Sequence, residues 1–579
     1  MKPPAMPSGA RVRAQRCRRI AISLVVCLWA AAAPLTGLAA ENKPGAAALA
    51  TAHPLATAAG RAILEQGGNA FDAAVAIAAT LAVVEPHSSG LGGGGLWLLY
   101  RASDRWTTMV DARERAPLAA TQNMYLDKDG QPVPRLSLDG PLAAAIPGAP
   151  AALVHISRHY GRLPLSRALA PAIRLARNGF AVTARYRQLV GKRFQALSAS
   201  PAAARVFLDN GAPPEGGFRL RQAELAGVLE RLAREGHAGF YDGTIAEQLV
   251  SGVRAAGGMW TREDLAGYRV KERSPVRGRY RDLRITSAAL PSSGGILLVE
   301  MLNILEGFDL ERLGRSTRVH VIIETMRRAY RDRAHYLGDA DFVDVDVKQL
   351  LDSRYAAKLR ETIDLKRATV SDALIPTGRR AGGTQTSHLS VIDADGNRVA
   401  ATLTINTAFG SAFMPAGTGV LLNNEMDDFV MKPGVPNAYG LVGSEANAIA
   451  PGKRPLSSMT PTFLESPDVV TILGTPGGSR IITMVLLATL EVAARRGGTR
   501  EWVALHRFHQ QYLPDQLSYE RGAFDKRELA QLQALGHQLK GHRDTYGNMQ
   551  IVTWFKNEHR LEAASDPRGE GVAWVERTQ

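Results

Sequence analysis

The chain has 579 residues and a formal net charge of +15 at pH 7. Six basic residues precede residue 40, which leaves +9 on the rest of the chain. These charges are scattered, a pattern that favours an ordinary solvated surface over a nucleic-acid-binding one. Both cysteines, Cys17 and Cys27, also precede residue 40, so the remaining chain excludes disulfides, cysteine zinc sites and a cysteine nucleophile.

Residues 1–40 are predicted to be a signal peptide. Five arginines precede an apolar run over 20–33, and Leu38-Ala39-Ala40 supplies small residues for cleavage. The run is short for a bilayer span, so removal is favoured over the alternative, a membrane anchor. We therefore expect a periplasmic or secreted protein without a stable membrane anchor.

Two helices are predicted next, over residues 56–70 and 72–83; the first is closed by glycine and the second is alanine-rich. The glycine-rich stretch 88–95 follows and leads into a strand over 96–100. Its glycines satisfy a dinucleotide-binding spacing, but that fingerprint requires a strand before it and a helix after it. Since the order here is reversed, we interpret the stretch as a tight crossing of the backbone near the functional site.

The middle of the chain indicates fold more than chemistry. Arg113 follows a strand-like run over 106–110, and by itself it is more typical of a surface charge. Helical patterns recur at 162–178, 221–235, 295–307 and 317–336. We expect the arginines of the last helix to face solvent, namely Arg327, Arg328, Arg331 and Arg333.

A β-hairpin is predicted after Thr386, with its turn at 393–397. Apolar residues fall on odd numbers in both arms: Leu389, Val391, Val399, Ala401, Leu403 and Ile405. If these face the core and the turn is centred on Asp395, Thr404 lies directly opposite Thr386. The other face, away from the apolar core, then carries six polar side chains: Thr386, His388, Ser390, Thr402, Thr404 and Asn406.

Thr386 is the candidate nucleophile, and we predict that the backbone is cut between Gln385 and Thr386. A threonine hydroxyl needs an adjacent base, which a freed amine on the same residue can supply. That amine titrates at roughly pH 7.7 to 8.0 in model peptides, so it can accept a proton near neutral pH. On the local pattern alone, an ordinary glycine-rich loop before an edge strand is the more typical interpretation.

Five sequence blocks decide between these alternatives: TSHLS (386–390), TINTAFG (404–410), LLNNEMDDF (421–429), PLSSM (455–459) and GTPGGSR (474–480). In order and spacing they resemble the γ-glutamyltranspeptidases, whose precursors cleave themselves in front of a threonine. The resemblance runs from about residue 45 to the region of 564–568. It implies an α+β fold, a four-layer αββα sandwich of the N-terminal-nucleophile hydrolase type.

The resemblance also implies how the chain is divided. A large subunit, 41–385, and a small subunit, 386–579, would form a heterodimer with one intertwined fold. About 540 residues would otherwise predict two or more domains. No linker, low-complexity tract or internal repeat divides the sequence, so the boundary is expected to be proteolytic.

Catalytic roles follow from the resemblance. Thr386 Oγ would attack the γ-carbonyl of the substrate, and the Thr404 hydroxyl would orient or relay its proton. Gly477 and Gly478 match the glycine pair of the oxyanion hole, where one backbone donor is typically worth roughly 2.7 to 4 kcal/mol. By itself this pair also fits a simple turn before a helix that begins at Ile481.

Substrate-binding roles come from the same matches. Asn406, Glu425 and Asp428 correspond to residues that bind an α-amino group. Those that bind the α-carboxylate correspond to Arg113, Ser457 and Ser458, and a guanidinium makes a planar two-point contact with a carboxylate. Together they describe a receptor for a free amino-acid head whose reacting carbonyl is at the γ position.

A long Pro- and Gly-rich loop over 431–456 resembles the lid that covers the pocket in part of the family, with Tyr439 at its aromatic position. Loops of this length are uncommon unless they are functional. The lid favours small substrates over polymeric γ-glutamate.

The sequence therefore predicts a γ-glutamyl hydrolase and transferase acting on glutathione and related small molecules, with amino acids or short peptides as acceptors. A β-lactam side-chain acylase of the same fold would not need the full amino-acid grip. A periplasmic amino-acid-binding protein would not need a scissile bond, and a serine hydrolase would need a G-x-S-x-G elbow, which is missing. No metal-ligand spacing occurs, so no metal or cofactor is expected.

Overall fold

The computed structural model describes Met1 and residues 43–371 and 385–577. Apart from Met1, the predicted signal peptide lies outside the described residues, as do the residues directly before Gln385. Within those ranges, no helix combines the length and apolar character needed to cross a membrane.

The secondary structure alternates between helical and extended stretches along the chain. The strands are β1 (Ala48–Thr51), β2 (Gly94–Arg101), β3 (Trp106–Ala112), β4 (Phe180–Ala181), β5 (Arg219–Leu220), β6 (Lys271–Arg273), β7 (Val276–Tyr280), β8 (Leu283–Ser287), β9 (Ser387–Ile392), β10 (Arg398–Thr404), β11 (Thr462–Glu465), β12 (Val469–Gly474), β13 (Phe508–His509), β14 (Leu517–Glu520), β15 (Leu539–His542), β16 (Gln550–Phe555), β17 (Arg560–Ser565) and β18 (Val572–Val575). The helices are α1 (Pro54–Glu65), α2 (Ala70–Val84), α3 (Ala149–Tyr160), α4 (Leu165–Asn178), α5 (Ala184–Ser198), α6 (Pro201–Phe207), α7 (Ala223–Glu235), α8 (Ala238–Tyr241), α9 (Gly243–Ala255), α10 (Arg262–Ala266), α11 (Gly294–Leu305), α12 (Arg315–Tyr336), α13 (Val347–Leu350), α14 (Ser353–Glu361), α15 (Ile481–Ala493), α16 (Thr499–Ala504) and α17 (Lys526–Ala534).

Two antiparallel sheets form the centre of the fold. The first has the strand order β18-β1-β9-β10-β2-β3-β6, and the second has the order β17-β16-β12-β11-β8-β7. In both sheets, strands that precede residue 386 pair directly with strands that follow it: β1 with β9, β2 with β10, and β8 with β11. The parts of the chain before and after Thr386 therefore share both sheets.

Helices cover the outer face of each sheet. Helix α2 packs on β9 and β10 of the first sheet, while α11 packs on β7 and β8, and α15 on β12, of the second. A smaller apolar cluster fills part of the space between the sheets, with Phe463, Ile472 and Trp554 among its members. The predicted αββα sandwich is confirmed.

The hairpin register is also confirmed. Val399 pairs with Val391, and Leu403 pairs with Ser387, so the next pair outward is Thr404 with Thr386. The odd-numbered apolar residues join the large core beneath α2. The even-numbered polar face is buried as well, because the second sheet lies over it; His388, for example, is fully buried and bonds Thr402 Oγ1 at 2.8 Å.

The four helices predicted over the middle of the chain correspond to α4, α7, α11 and α12. The expectation that the arginines of α12 face solvent is wrong for Arg327, Arg328 and Arg333, which are buried. Helix α12 is enclosed on most sides, so its charged residues pair inside the protein; Glu324 forms ion pairs with both Arg327 and Arg328. Arg331 is the exception, with 41% of its side chain exposed.

The predicted backbone crossing at the glycine-rich stretch is present. A Cβ atom added at Gly93 would lie 2.1 Å from the backbone oxygen of Thr404, and one at Gly92 would lie 2.1 Å from that of Leu421. Glycine is therefore required here by close approach of the chain that carries Thr404.

Gly93→Ala is expected to lower the melting temperature, because its methyl group would meet a backbone oxygen that cannot rotate away. Overpacking a filled site typically costs about 1–3 kcal/mol. Thermal unfolding followed by circular dichroism measures the change. Gly216→Ala is the matched control, since its Cβ would enter open space. Equal melting temperatures for the two variants would contradict the crossing.

Candidate active site

Thr386 lies at the edge of the polar face of β9 and β10, next to the chain that precedes it. Its Oγ donates to the carbonyl oxygen of Gln385 at 2.7 Å and lies 3.3 Å from Thr404 Oγ. Asn406 N donates to Thr404 Oγ at 2.8 Å, which leaves the Thr404 hydroxyl proton free to point at Thr386. The hydroxyl of Thr386 is thus held against the peptide bond predicted to be cut, with a second hydroxyl beside it.

Two large side chains hold the residues on either side of Thr386, and sequence reasoning missed both. Arg185, on α5, donates to the side-chain oxygen of Gln385 at 3.2 Å. Glu85, just after α2, accepts from Ser387 Oγ at 2.6 Å. Neither residue belongs to a recognised block, so only the folded structure brings them to this position.

Glu425 and Asp428 lie on one turn of 3₁₀ helix, Glu425–Asp428. Asn423 holds the start of this turn, because its side-chain oxygen accepts from Glu425 N at 2.9 Å while its amide nitrogen donates to Gly92 O at 2.7 Å. The acidic turn is therefore tied to the glycine stretch that packs against the backbone of Thr404.

Arg113 is buried and pairs with both carboxylates of this turn. It donates to Glu425 and to Asp428, and its Nε donates to Pro455 O at 3.1 Å. Burial opposes the charge, but the neighbouring carboxylates, Glu425 foremost, outweigh it and raise the pKa of Arg113. Burial also raises the pKa of Glu114, which lies 3.5 Å from Arg113, to about 7.

The paired serines line the same cavity as Glu425 and Asp428. Ser457 Oγ accepts from Met459 N at 3.0 Å, and Ser457 N donates to Pro291 O at 2.7 Å. Ser458 Oγ lies 3.4 Å from an Nη atom of Arg333, whose Nε donates to Ser293 Oγ at 3.0 Å. Arg333 therefore lines the site, although the sequence analysis expected it to face solvent.

Tyr439 closes one side of the site. Its hydroxyl donates to Asn406 O at 2.8 Å, and its ring lies on Gly478, where a Cβ atom would come within 2.3 Å of the ring. The loop that carries it is anchored to the acidic turn, since Ala438 N donates to Asp427 at 2.8 Å. Tyr439 and its loop thus cover Gly478 at the edge of the site, and the role of a lid stays a prediction.

One small cavity is lined by all the predicted site residues except Gln385 and Gly477, and Arg333 lines it too. It measures about 20 Å³, room for about one water molecule. Binding an amino-acid-sized group therefore requires its walls to move. Gly477 lies next to the lining residue Gly478 at a positive φ of 153°.

Comparison with known proteins assigns the chain to a family. The family model described as Gamma-glutamyltranspeptidase matches residues 56–575. The chain belongs to the gamma-glutamyltranspeptidase family. A glutathione hydrolase proenzyme of Pseudomonas sp. (strain A14) is 42% identical over 531 residues, covering 90% of this chain and 92% of that one. Another, from Escherichia coli (strain K12), is 42% identical over 519 residues, covering 89% of each chain.

Among solved structures, a cephalosporin acylase from Bacillus halodurans superimposes with a TM-score of 0.80 and 27% sequence identity. The match covers 91% of this chain and 95% of that one. The gamma-glutamyltranspeptidase family drawn from five sequence blocks is thus confirmed, together with the αββα fold.

Outside the site, His320, Glu324 and His537 lie close enough together to hold a metal ion. His320 Nδ1 and His537 Nε2 are 2.8 Å apart, the distance of a direct hydrogen bond. Glu324 is already paired with two arginines of α12. These contacts account for the cluster as a buried polar network.

Glu85→Gln is expected to weaken the pH dependence of stability. Burial raises the pKa of Glu85 to about 7, although the hydrogen bond from Ser387 and the charge of Arg185 oppose the shift. The folded protein therefore keeps a proton that the unfolded chain releases at lower pH, so stability is lost as the pH rises towards 7. This pH-dependent loss in the free energy of unfolding is on the order of 3 kcal/mol, and it is absent in Glu85→Gln because glutamine does not titrate.

Melting temperatures from about pH 5 to pH 8 measure this effect, in a Thr386→Ala background that is expected to keep both proteins as one chain. The wild-type side chain should lose more stability than glutamine across this range. Parallel profiles would contradict a buried, protonated Glu85.

Proposed function

We propose that this chain is the precursor of a γ-glutamyltransferase and glutathione hydrolase. It cleaves itself between Gln385 and Thr386 into subunits 41–385 and 386–579, which remain together because they share both sheets. The single observation that carries the proposal is the position of the Thr386 hydroxyl, 2.7 Å from the carbonyl oxygen of Gln385 and 3.3 Å from Thr404 Oγ.

Self-cleavage begins when Thr386 Oγ attacks the carbonyl carbon of Gln385. The new C–O bond replaces the C–N bond of the peptide, and the hydroxyl proton ends on the Thr386 nitrogen. Thr404 is placed to pass that proton. Water then hydrolyses the ester, which leaves a carboxylate on Gln385 and a free amine and hydroxyl on Thr386.

Turnover uses the same atoms. The free amine accepts the proton of Thr386 Oγ as the oxygen attacks the γ-carbonyl of the substrate. The backbone N–H groups of Gly477 and Gly478 stabilise the oxyanion. The leaving group departs with the proton, and the γ-glutamyl ester on Thr386 is then passed to water, an amino acid or a short peptide.

The chemistry of the cavity walls supports a γ-glutamyl substrate. Glu425, Asp428 and the Asn406 side chain would bind the α-ammonium group, while Arg113, Ser457 and Ser458 would bind the α-carboxylate. An acyl group without this amino-acid head would displace water from these buried polar groups without replacing its hydrogen bonds, which is costly. This grip favours γ-glutamyl transfer over the acylase activity named for the Bacillus halodurans structure.

Export is the matching proposal for location. Residues 1–40 carry the arginines, apolar run and small residues of a signal peptide. The glutathione hydrolase proenzymes named above are bacterial, which is consistent with a periplasmic or secreted enzyme.

Thr386→Ala is expected to remain one uncut chain without activity, because it lacks the attacking oxygen. The wild type should instead give two bands at about 38 and 21 kDa on a denaturing gel, at roughly 110 Da per residue. Thr121→Ala, an exposed threonine, is the control and should be cut like the wild type. Cleavage of Thr386→Ala at the same place would contradict self-processing.

Arg113→Lys should raise the KM for γ-glutamyl-p-nitroanilide about tenfold or more, because lysine cannot copy the planar two-point contact. The subunit pattern on a gel should be unchanged. Rates with and without glycylglycine separate transfer from hydrolysis. An unchanged KM would count against a role for Arg113 in binding the substrate carboxylate.

A further inference from the structure

The site contains two buried arginines that differ in their partners. Arg113 and Arg333 both line the cavity with Thr386, and both are at most 5% exposed. A buried charge is stable only when groups of opposite charge or hydrogen-bond partners surround it. The partners of each arginine therefore indicate which one still has capacity for a substrate anion.

Arg113 is largely committed within the protein. Its Nε donates to a backbone oxygen, one Nη contacts Glu425 and Glu114, and the other contacts Asp428. A guanidinium has five N–H donors, and hydrogen bonds to Pro455, Glu425 and Asp428 occupy three of those of Arg113. Its charge is also matched by more than one carboxylate before any substrate binds.

Arg333, in contrast to Arg113, contacts only neutral side chains of the described residues through its guanidinium. Its Nε donates to Ser293 Oγ at 3.0 Å and one Nη lies 3.4 Å from Ser458 Oγ. Both partners are neutral hydroxyls, and within residues 43–371 and 385–577 no carboxylate forms an ion pair with it. Its other Nη has no hydrogen-bond partner in the same ranges. Arg333 therefore brings a buried positive charge to the cavity wall without a direct counter-ion.

The surroundings of Arg333 agree with this description. Burial lowers the pKa of Arg333 and the charge of Arg113 lowers it further, while Tyr330 and Asp428 act in the opposite direction. An arginine keeps its proton in proteins, so the cost of burial remains until an anion approaches. The carboxylate of a bound substrate would relieve it.

We propose that Arg333 is a second binding residue for the α-carboxylate of the γ-glutamyl substrate, acting beside Ser458. This inference rests on the proposed function and extends it, since it gives one charge of the substrate to an arginine that forms an ion pair with no carboxylate among the described residues. Arg113 then contributes to the same carboxylate contact while it also holds Glu425 and Asp428, which receive the ammonium group. Donors must accordingly carry a free, ionised α-carboxylate.

The test compares two donors that differ only at this group: γ-glutamyl-p-nitroanilide and its α-carboxamide analogue. The wild type should prefer the carboxylate in kcat/KM. Arg333→Gln should lower kcat/KM for the carboxylate about 10- to 100-fold, the range for hydrogen bonds to charged groups, and should change it little for the carboxamide. The preference between the donors should therefore largely disappear.

A merely structural role gives a different result. If Arg333 only holds Ser293 and Ser458 in place, the variant loses activity towards both donors equally and the preference survives, which would overturn the inference. Arg315→Gln is the matched control, because Arg315 lies on the same helix with 71% of its side chain exposed. It should retain both rates, and two bands on a gel show that each variant is processed.

Arg333→Lys covers the case in which Arg333→Gln fails to accumulate. It keeps the charge and loses the planar fork, so a reduced but measurable preference for the carboxylate supports the proposal, and an unchanged preference contradicts it. A wild type that hydrolyses both donors equally would refute the role of Arg333 and leave γ-glutamyl hydrolysis standing. A wild type that hydrolyses neither would refute the proposed function itself.

Discussion

The antiparallel register between β9 and β10 is the constraint on which the site depends. It places the Thr386 and Thr404 hydroxyls 3.3 Å apart. A slip of one residue would exchange the apolar and polar faces of both strands, so the apolar residues that now pack beneath α2 would face the second sheet. The packing that stabilises the sandwich thus also fixes the position of Thr386, the proposed nucleophile.

Charge pairing inside the fold likewise both stabilises the structure and shapes the site. The acidic turn, Glu425–Asp428, is held by Asn423 from one side and by Arg113 from the other. Two buried arginines and two carboxylates, Glu425 and Asp428, line the same small cavity. Because isolated buried charges are costly, we expect such a site to discriminate against acyl groups that lack the matching charges.

Sequence patterns predicted the elements whose signal is local. Alternation and turn residues determined the hairpin register, and the blocks around Thr386, Glu425 and Ser457 located most of the cavity wall. The burial of Arg333 was not predictable from its own helix, because a charged residue is buried only where other elements supply partners, here Ser293 and Ser458. Glu85 and Arg185 were not predicted to lie at the site for a related reason, since their contacts with Ser387 and Gln385 join distant parts of the chain.

The central claim is that residue 386 becomes a new chain terminus whose own nitrogen activates its own oxygen. N-terminal sequencing of the smaller fragment from purified, active protein tests it most directly. The fragment is predicted to begin Thr-Ser-His-Leu-Ser. Active protein that consists of one intact chain, or whose fragment begins at any other residue, would contradict the mechanism.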